Sequence, residues 1–210
     1  MRKTFDAELL ELNEELTTMA RTAQDAIDVV TESLSTDDEA AARSAIDMTG
    51  TIDQMERNIE NRCLQLLLRQ QPVARDLRAI SAAMKMVTDL QRIGDQAANI
   101  AEISLLLPGG VKVPQDIGVM ACKAGLMVRQ AISAYTGRDV ETAHAVVNLD
   151  DEVDELFRQV KGELIDEVTT NRDEADNSID FIIIAKYLER IADHAVNIAQ
   201  WAIFCVTGEL

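Results

Sequence analysis

Glu189, Asp193, Asn197 and Gln200 fall at spacings of four, four and three, which puts their side chains on one face of a helix. Gln91, Asp95, Asn99 and Glu102 repeat the arrangement earlier in the chain. On the segment before each stripe, Asp53 with Glu56, or Asp151 with Asp154 and Glu155, lie about one helical turn apart. Carboxylates with amide oxygens are the donor set of hard cations such as Mg²⁺, Mn²⁺ or Ca²⁺, and carboxylate-rich helical faces also hold iron. Without a cation, close carboxylates repel one another or take up protons. A solvated face is the competing reading, with Arg92 and Arg190 pairing with neighbouring acids. Recurrence of Asp and Asn at matched positions favours a divalent metal or iron, and the spacing does not choose among Mg, Mn, Ca, Zn and Fe.

Other chemistry is poorly served. His194 follows Asp193, but its counterpart is Gln96, so it is expected on the helix surface or supporting a ligand; His144 is isolated. The paired Glu-x-x-His motifs of di-iron bundles are missing. So are a Gly-rich phosphate loop, zinc-finger spacings and a hydrolase elbow. Met84 and Met86 read as core filling.

The elements that must position these residues are helices. Apolar residues recur at three and four from Leu9 to Leu34, Ala40 to Leu68 and Leu77 to Leu107. Ser35-Thr36-Asp37-Asp38 offers N-caps for the second helix, and Gln71-Pro72 interrupts the pattern before the third. Leu107 to Pro114 holds two of the three prolines and two adjacent glycines, marking a linker at 108–114. Three further helices are expected from about Gln115 to Tyr135, then to Val168, then to Val206, with turns at 136–139 and 169–173.

A shift of 98 residues lays Leu90-Gln-Arg-Ile-Gly-Asp-Gln-Ala-Ala-Asn-Ile-Ala on Leu188-Glu-Arg-Ile-Ala-Asp-His-Ala-Val-Asn-Ile-Ala, identical at eight of twelve positions. The same shift, without a gap, lays Asp53-Gln-Met-Glu56 on Asp151-Glu-Val-Asp154 and Leu66 on Leu164. The fold class is therefore all-α: two tandem three-helix bundles, 1–107 and 115–210, related by internal duplication and pseudo-two-fold symmetry.

Composition agrees. Gly (9), Pro (3) and aromatics (3%) are scarce, which disfavours strands and turns. A net charge of -17, from 37 acidic against 20 basic residues, repels nucleic acid phosphates and anionic lipid, so neither is an expected partner. The N-terminus turns acidic within six residues, and no apolar run approaches the roughly 20 residues of a membrane span. Cys63, Cys122 and Cys205, odd in number and set beside apolar residues, read as reduced core thiols. A cytoplasmic protein is expected.

Three segments together resemble the PhoU family of phosphate-signalling regulators: Gln71-Pro-Val-Ala-Arg-Asp-Leu-Arg78, Leu90 to Glu102, and Leu188 to Ala199. The similarity spans essentially the whole chain. It implies two similar bundles whose Glu/Asp-x-x-x-Asp motifs bind metal clusters, and a cytoplasmic role without catalysis. It also implies negative regulation of phosphate uptake and of the phosphate-starvation response, through contact with the ATPase of the phosphate ABC transporter and with a phosphate-sensing histidine kinase. A homo-oligomer, a dimer, is the expected assembly. Glu189 and Asp193 match the acidic motif fully. Gln91 departs from it beside Asp95, so the first site is absent or rebuilt with Asp53, Glu56 or Glu102. The first-half motif at 71–78 has no copy at 169–176. A carboxylate-bridged metal store or metalloenzyme on the same scaffold is the alternative function.

Overall fold

The computed structural model describes the backbone at residues 2–70, 73–171 and 174–209, and side chains there except at 2–4 and 69–70. The expected break at Gln71-Pro72, and Arg172 and Asp173 of the second polar turn, lie outside these residues. Six helices follow in order: α1 Arg2–Thr36, α2 Glu39–Gln70, α3 Ala74–Ser104, α4 Gln115–Gly137, α5 Val140–Thr170 and α6 Ala175–Thr207. Helix α1 begins before Leu9 because the apolar stripe does: Phe5 is buried one turn ahead of Leu9, Leu12 and Leu16. Helix α3 stops at Ser104, short of Leu107, where the Leu105 and Leu106 amides close the last turn onto Ala101 and Ile103 ahead of Pro108.

Turn chemistry sets the remaining boundaries. Asp38 Oδ1 accepts from the amides of Ala40 (2.9 Å) and Ala41 (3.2 Å), capping α2. Arg138 takes a left-handed conformation (φ 55°) to end α4, and Asp139 then caps α5 by accepting from the Thr142 amide at 3.1 Å. Gly208, at φ 83°, closes α6 with its amide on Phe204 O, where a side chain would be strained. In the linker, the Gly110 amide donates to Asp37 Oδ2 at 3.2 Å and ties the segment to the α1–α2 turn.

Within each half the three helices pack pairwise. The halves meet through α3 against α6 and α1 against α4, while α2 and α5 contact only their own half among the described residues. Tyr135 near the end of α4 donates to Ala79 O near the start of α3 and ties the two halves together at that end. One apolar cluster runs through both halves. Its fully buried members include Leu12, Leu16, Ile52, Ile80, Leu90 and Ile93, each worth roughly 1.5–3 kcal/mol relative to exposure.

Two of the three cysteines are core thiols, and burial pushes Cys63 up to about 12. Cys122 is exposed, contrary to the expectation for all three, because it lies one position off the α4 stripe of Met120, Ala121 and Ala124. Among the described residues no helix is long and apolar enough to cross a membrane.

Candidate metal centre

The antiparallel pair α5–α6 brings the second-half acids together. Asp154 and Glu189 are half-buried, and Asp151 and Asp193 stand at the exposed rim. A further carboxylate, Asp150, joins them, and its Oδ1 is buried without a hydrogen-bond partner. Burial raises Asp150 to about 6, with Asp193, Asp154, Glu189 and Asp151 adding like-charge repulsion in that order. The Asp193 carboxyl is raised by partial burial and by Glu189, against the pull of Lys186, with Asp154 raising it and His194 lowering it further. Lys186 Nζ pairs with Glu189 Oε2 and brings one ammonium to the group. Glu155 turns outward to pair with Arg158.

The first half is built differently. Gln91 Nε2 donates to Asp53 Oδ1 at 3.1 Å and Asp95 Oδ2 at 2.9 Å, so an amide bridges the two carboxylates where the second half has Glu189. Asp95 is nonetheless raised, by burial first; the Gln91 bond and Arg92 oppose this and Asp53 adds to it. Glu56 is raised by burial and by Glu60, Asp53 and Asp95, with Arg57 opposing. The counterpart of Asp150 is Ile52, a fully buried core residue. Ile52 packs so tightly on α3 that a Cβ at Gly94 would come within 2.7 Å of its Cδ1. At the matching position α6 carries Ala192.

The arginines do not neutralise either cluster by direct pairing. Neither Arg92 nor Arg190 forms an ion pair among the described residues, and Arg190 lies 5.9 Å from the Tyr187 ring. Asn99 is half-buried on α3. Asn197 turns away from the α5 acids: its Nδ2 donates to Asp89 Oδ1 on α3 at 3.2 Å. His194 is not on the helix surface. Its Nδ1 lies 2.9 Å from the same Asp89 oxygen, with only 14% of its side chain exposed, so both residues join α6 to α3. Among the described residues, no three His, Cys, Asp or Glu side chains already converge into a cage around a metal ion.

The duplication seen in the helices is matched in sequence by the PhoU domain, whose sequence model fits residues 16–104 and again 117–202. The chain belongs to the PhoU family. It is 35% identical to the phosphate-specific transport system accessory protein PhoU homolog of Clostridium acetobutylicum, over 99% of this chain and 96% of that protein. It is 37% identical to the like-named protein of Aquifex aeolicus, over 97% and 93%. The crystal structure of PhoU from Pseudomonas aeruginosa superposes with a TM-score of 0.92 at 31% identity, covering 98% of this chain and 100% of that one. The phosphate transport system regulatory protein PhoU of Streptococcus pneumoniae superposes at 0.91 with 26% identity.

For this PhoU-family chain, repeat register alone misses Asp150. Aligning the halves pairs Asp53 with Asp151 and sets Asp150 opposite an isoleucine. The signal was available in another form: Ile52 falls in the apolar stripe of α2, so a carboxylate at the same register of α5 points toward the interior. Asp150 and Asp154, four apart, share a face as well.

Proposed function

We propose that this chain is a cytoplasmic negative regulator of phosphate uptake and of the phosphate-starvation response. It acts as a metal-binding adaptor between the phosphate transporter ATPase and a sensor histidine kinase. Family membership over both repeats supports the regulatory part. The relatives are named as accessory or regulatory proteins of phosphate transport, and the match covers nearly the full length of each chain.

The observation carrying the metal part is the buried, unpartnered Oδ1 of Asp150 among Asp154, Glu189 and Asp193. The donor set is all hard oxygen, its members repel one another, and one lysine faces them. These residues fit a divalent metal or iron. Asp150 and Asp154 would hold it from α5, and Glu189 and Asp193 from α6. A bound cation there supplies the positive charge these carboxylates lack and fixes α5 against α6. Among the described residues the two outer helices, α2 and α5, contact only their own half, which leaves their far faces for partners.

The test is co-purification of the full-length protein with the transporter ATPase and with the kinase, from cells grown in high phosphate. Capture of both, with derepressed phosphate uptake on deletion, is expected. Binding to neither overturns the adaptor reading. Tight metal binding with no effect of deletion on uptake would instead favour the metal store.

A further inference from the structure

The motif at 71–78 is used by neither acidic site, yet the fold gathers its two arginines beside a third. In a chain of net charge -17, Arg75 and Arg78 of α3 and Arg138 at the end of α4 all act on Cys205 near the end of α6. Three helix ends meet there, across the join between the halves. Arg75 and Arg138 line a cavity of about 350 Å³ with Asn13, Tyr135, Thr136 and one carboxylate, Asp6. Arg78 packs beside the cavity against Gly208, where a Cβ would stand 3.4 Å from its Nη1, and its Nε is buried without a hydrogen-bond partner.

Among the described residues none of these arginines forms an ion pair, although acids outnumber bases nearly two to one. Gathering three like charges is unfavourable unless an anion offsets them. The first turn of α3 adds to the positive potential, because Val73 supplies no side-chain cap for its free amides. The feature is not a product of the duplication. At the matched positions Arg75, Arg78 and Arg138 correspond to Asp173, Asp176 and Ala40, so the repeat does not carry the cluster.

We propose that this cavity binds a small tetrahedral oxyanion of the phosphate class. Guanidinium groups offer the planar, paired donors that suit such oxygens. The Asn13 amide provides a neutral donor, and Asp6 on the rim selects for a ligand that still carries a proton to donate. The site is separate from the acidic centre and does not depend on the metal reading.

Isothermal titration calorimetry of the full-length protein with inorganic phosphate, at fixed ionic strength, tests it. One saturable site is expected, in competition with sulfate and insensitive to equivalent chloride. Arg75→Gln and Arg138→Gln, both at exposed positions lining the cavity, should each weaken binding about tenfold or more, since each removes a charged hydrogen-bond donor. Arg158→Gln, remote and exposed, should leave it unchanged. Circular dichroism confirms that each variant is folded, and Arg138→Gln carries the test if Arg75→Gln does not fold. Failure to bind phosphate saturably overturns the proposal. So does binding that survives both arginine substitutions, or that is lost only in Asp193→Ala. Arginine variants that lower the melting temperature of a protein that never binds phosphate would show charges serving only the C-termini of α4 and α6. Capture of an acidic peptide without phosphate binding would mark a protein-docking surface instead.

Discussion

The Gln91 amide donates to Asp95 Oδ2 at 2.9 Å, whereas Glu189 stands beside Asp193 at the equivalent place on α6 and raises its carboxyl. One substitution between the repeats thus separates a hydrogen-bonded amide bridge from a repelling acid pair. Gln91→Glu should recreate the repulsion in the first half. Because the bridge to Asp53 and Asp95 is lost as well, a cost of about 1–3 kcal/mol is expected in chelator. Thermal denaturation with and without Mn²⁺ checks it: the variant should melt lower in chelator and gain more from the cation than the parent. An equal gain in both would count against a latent site.

Asp150 predicts a pH dependence of opposite sign to that of a salt-bridged carboxylate. Its folded value, about 6, lies above the ordinary value of 3.8, so between these the folded state binds more protons than the unfolded one. Its stabilising contribution is present below about pH 4 and is lost as pH rises through about 6. Asp150→Asn in chelator should therefore melt together with the parent near pH 4 and above it at pH 7. A gap that is constant across this range would mean that Asp150 is not repelled by its neighbours.

His194, Asn197 and Asp89 join the two halves through a single carboxylate oxygen. Asp89→Ala strands two polar groups in a largely apolar interface, for an expected loss of about 1–3 kcal/mol. In a chain of this size that corresponds to roughly 2–12 °C of melting temperature. Differential scanning calorimetry reads it directly, and an unchanged midpoint would show that water replaces the contact without cost.

Much of this was legible in the residues. Three-four periodicity located all six helices, and the 98-residue repeat carried the paired bundles. Its limits were local: Phe5 extends a stripe that begins, by pattern alone, at Leu9, and Cys122 sits beside apolar residues while facing solvent. The candidate site was legible wherever the repeat held. It was not where the halves diverge, because Asp150 replaces a core isoleucine. The surface position expected as one alternative for His194 fails for a related reason: its partner, Asp89, lies 105 residues away, on a helix of the other half. Sequence spacing reports neighbours on one helix, not contacts across a join.

Gly94 offers a packing test of the same divergence. A Cβ there would stand 2.7 Å from Ile52 Cδ1, and Ile52 is fully buried. Gly94→Val should cost about 1–3 kcal/mol by overpacking, with part recovered by Ile52→Ala in the double variant. Additive losses in urea denaturation would indicate that the two positions do not share the space.

The two acidic faces are unequal, and the cation is proposed at the second. Metal content and titration of the full-length protein, compared with Glu189→Gln and with Asp95→Asn, test this most directly. Loss of a tight divalent or iron site in Glu189→Gln, with the site retained in Asp95→Asn, is the predicted result. Equal loss in both variants, or a parent protein that binds no cation, would contradict it.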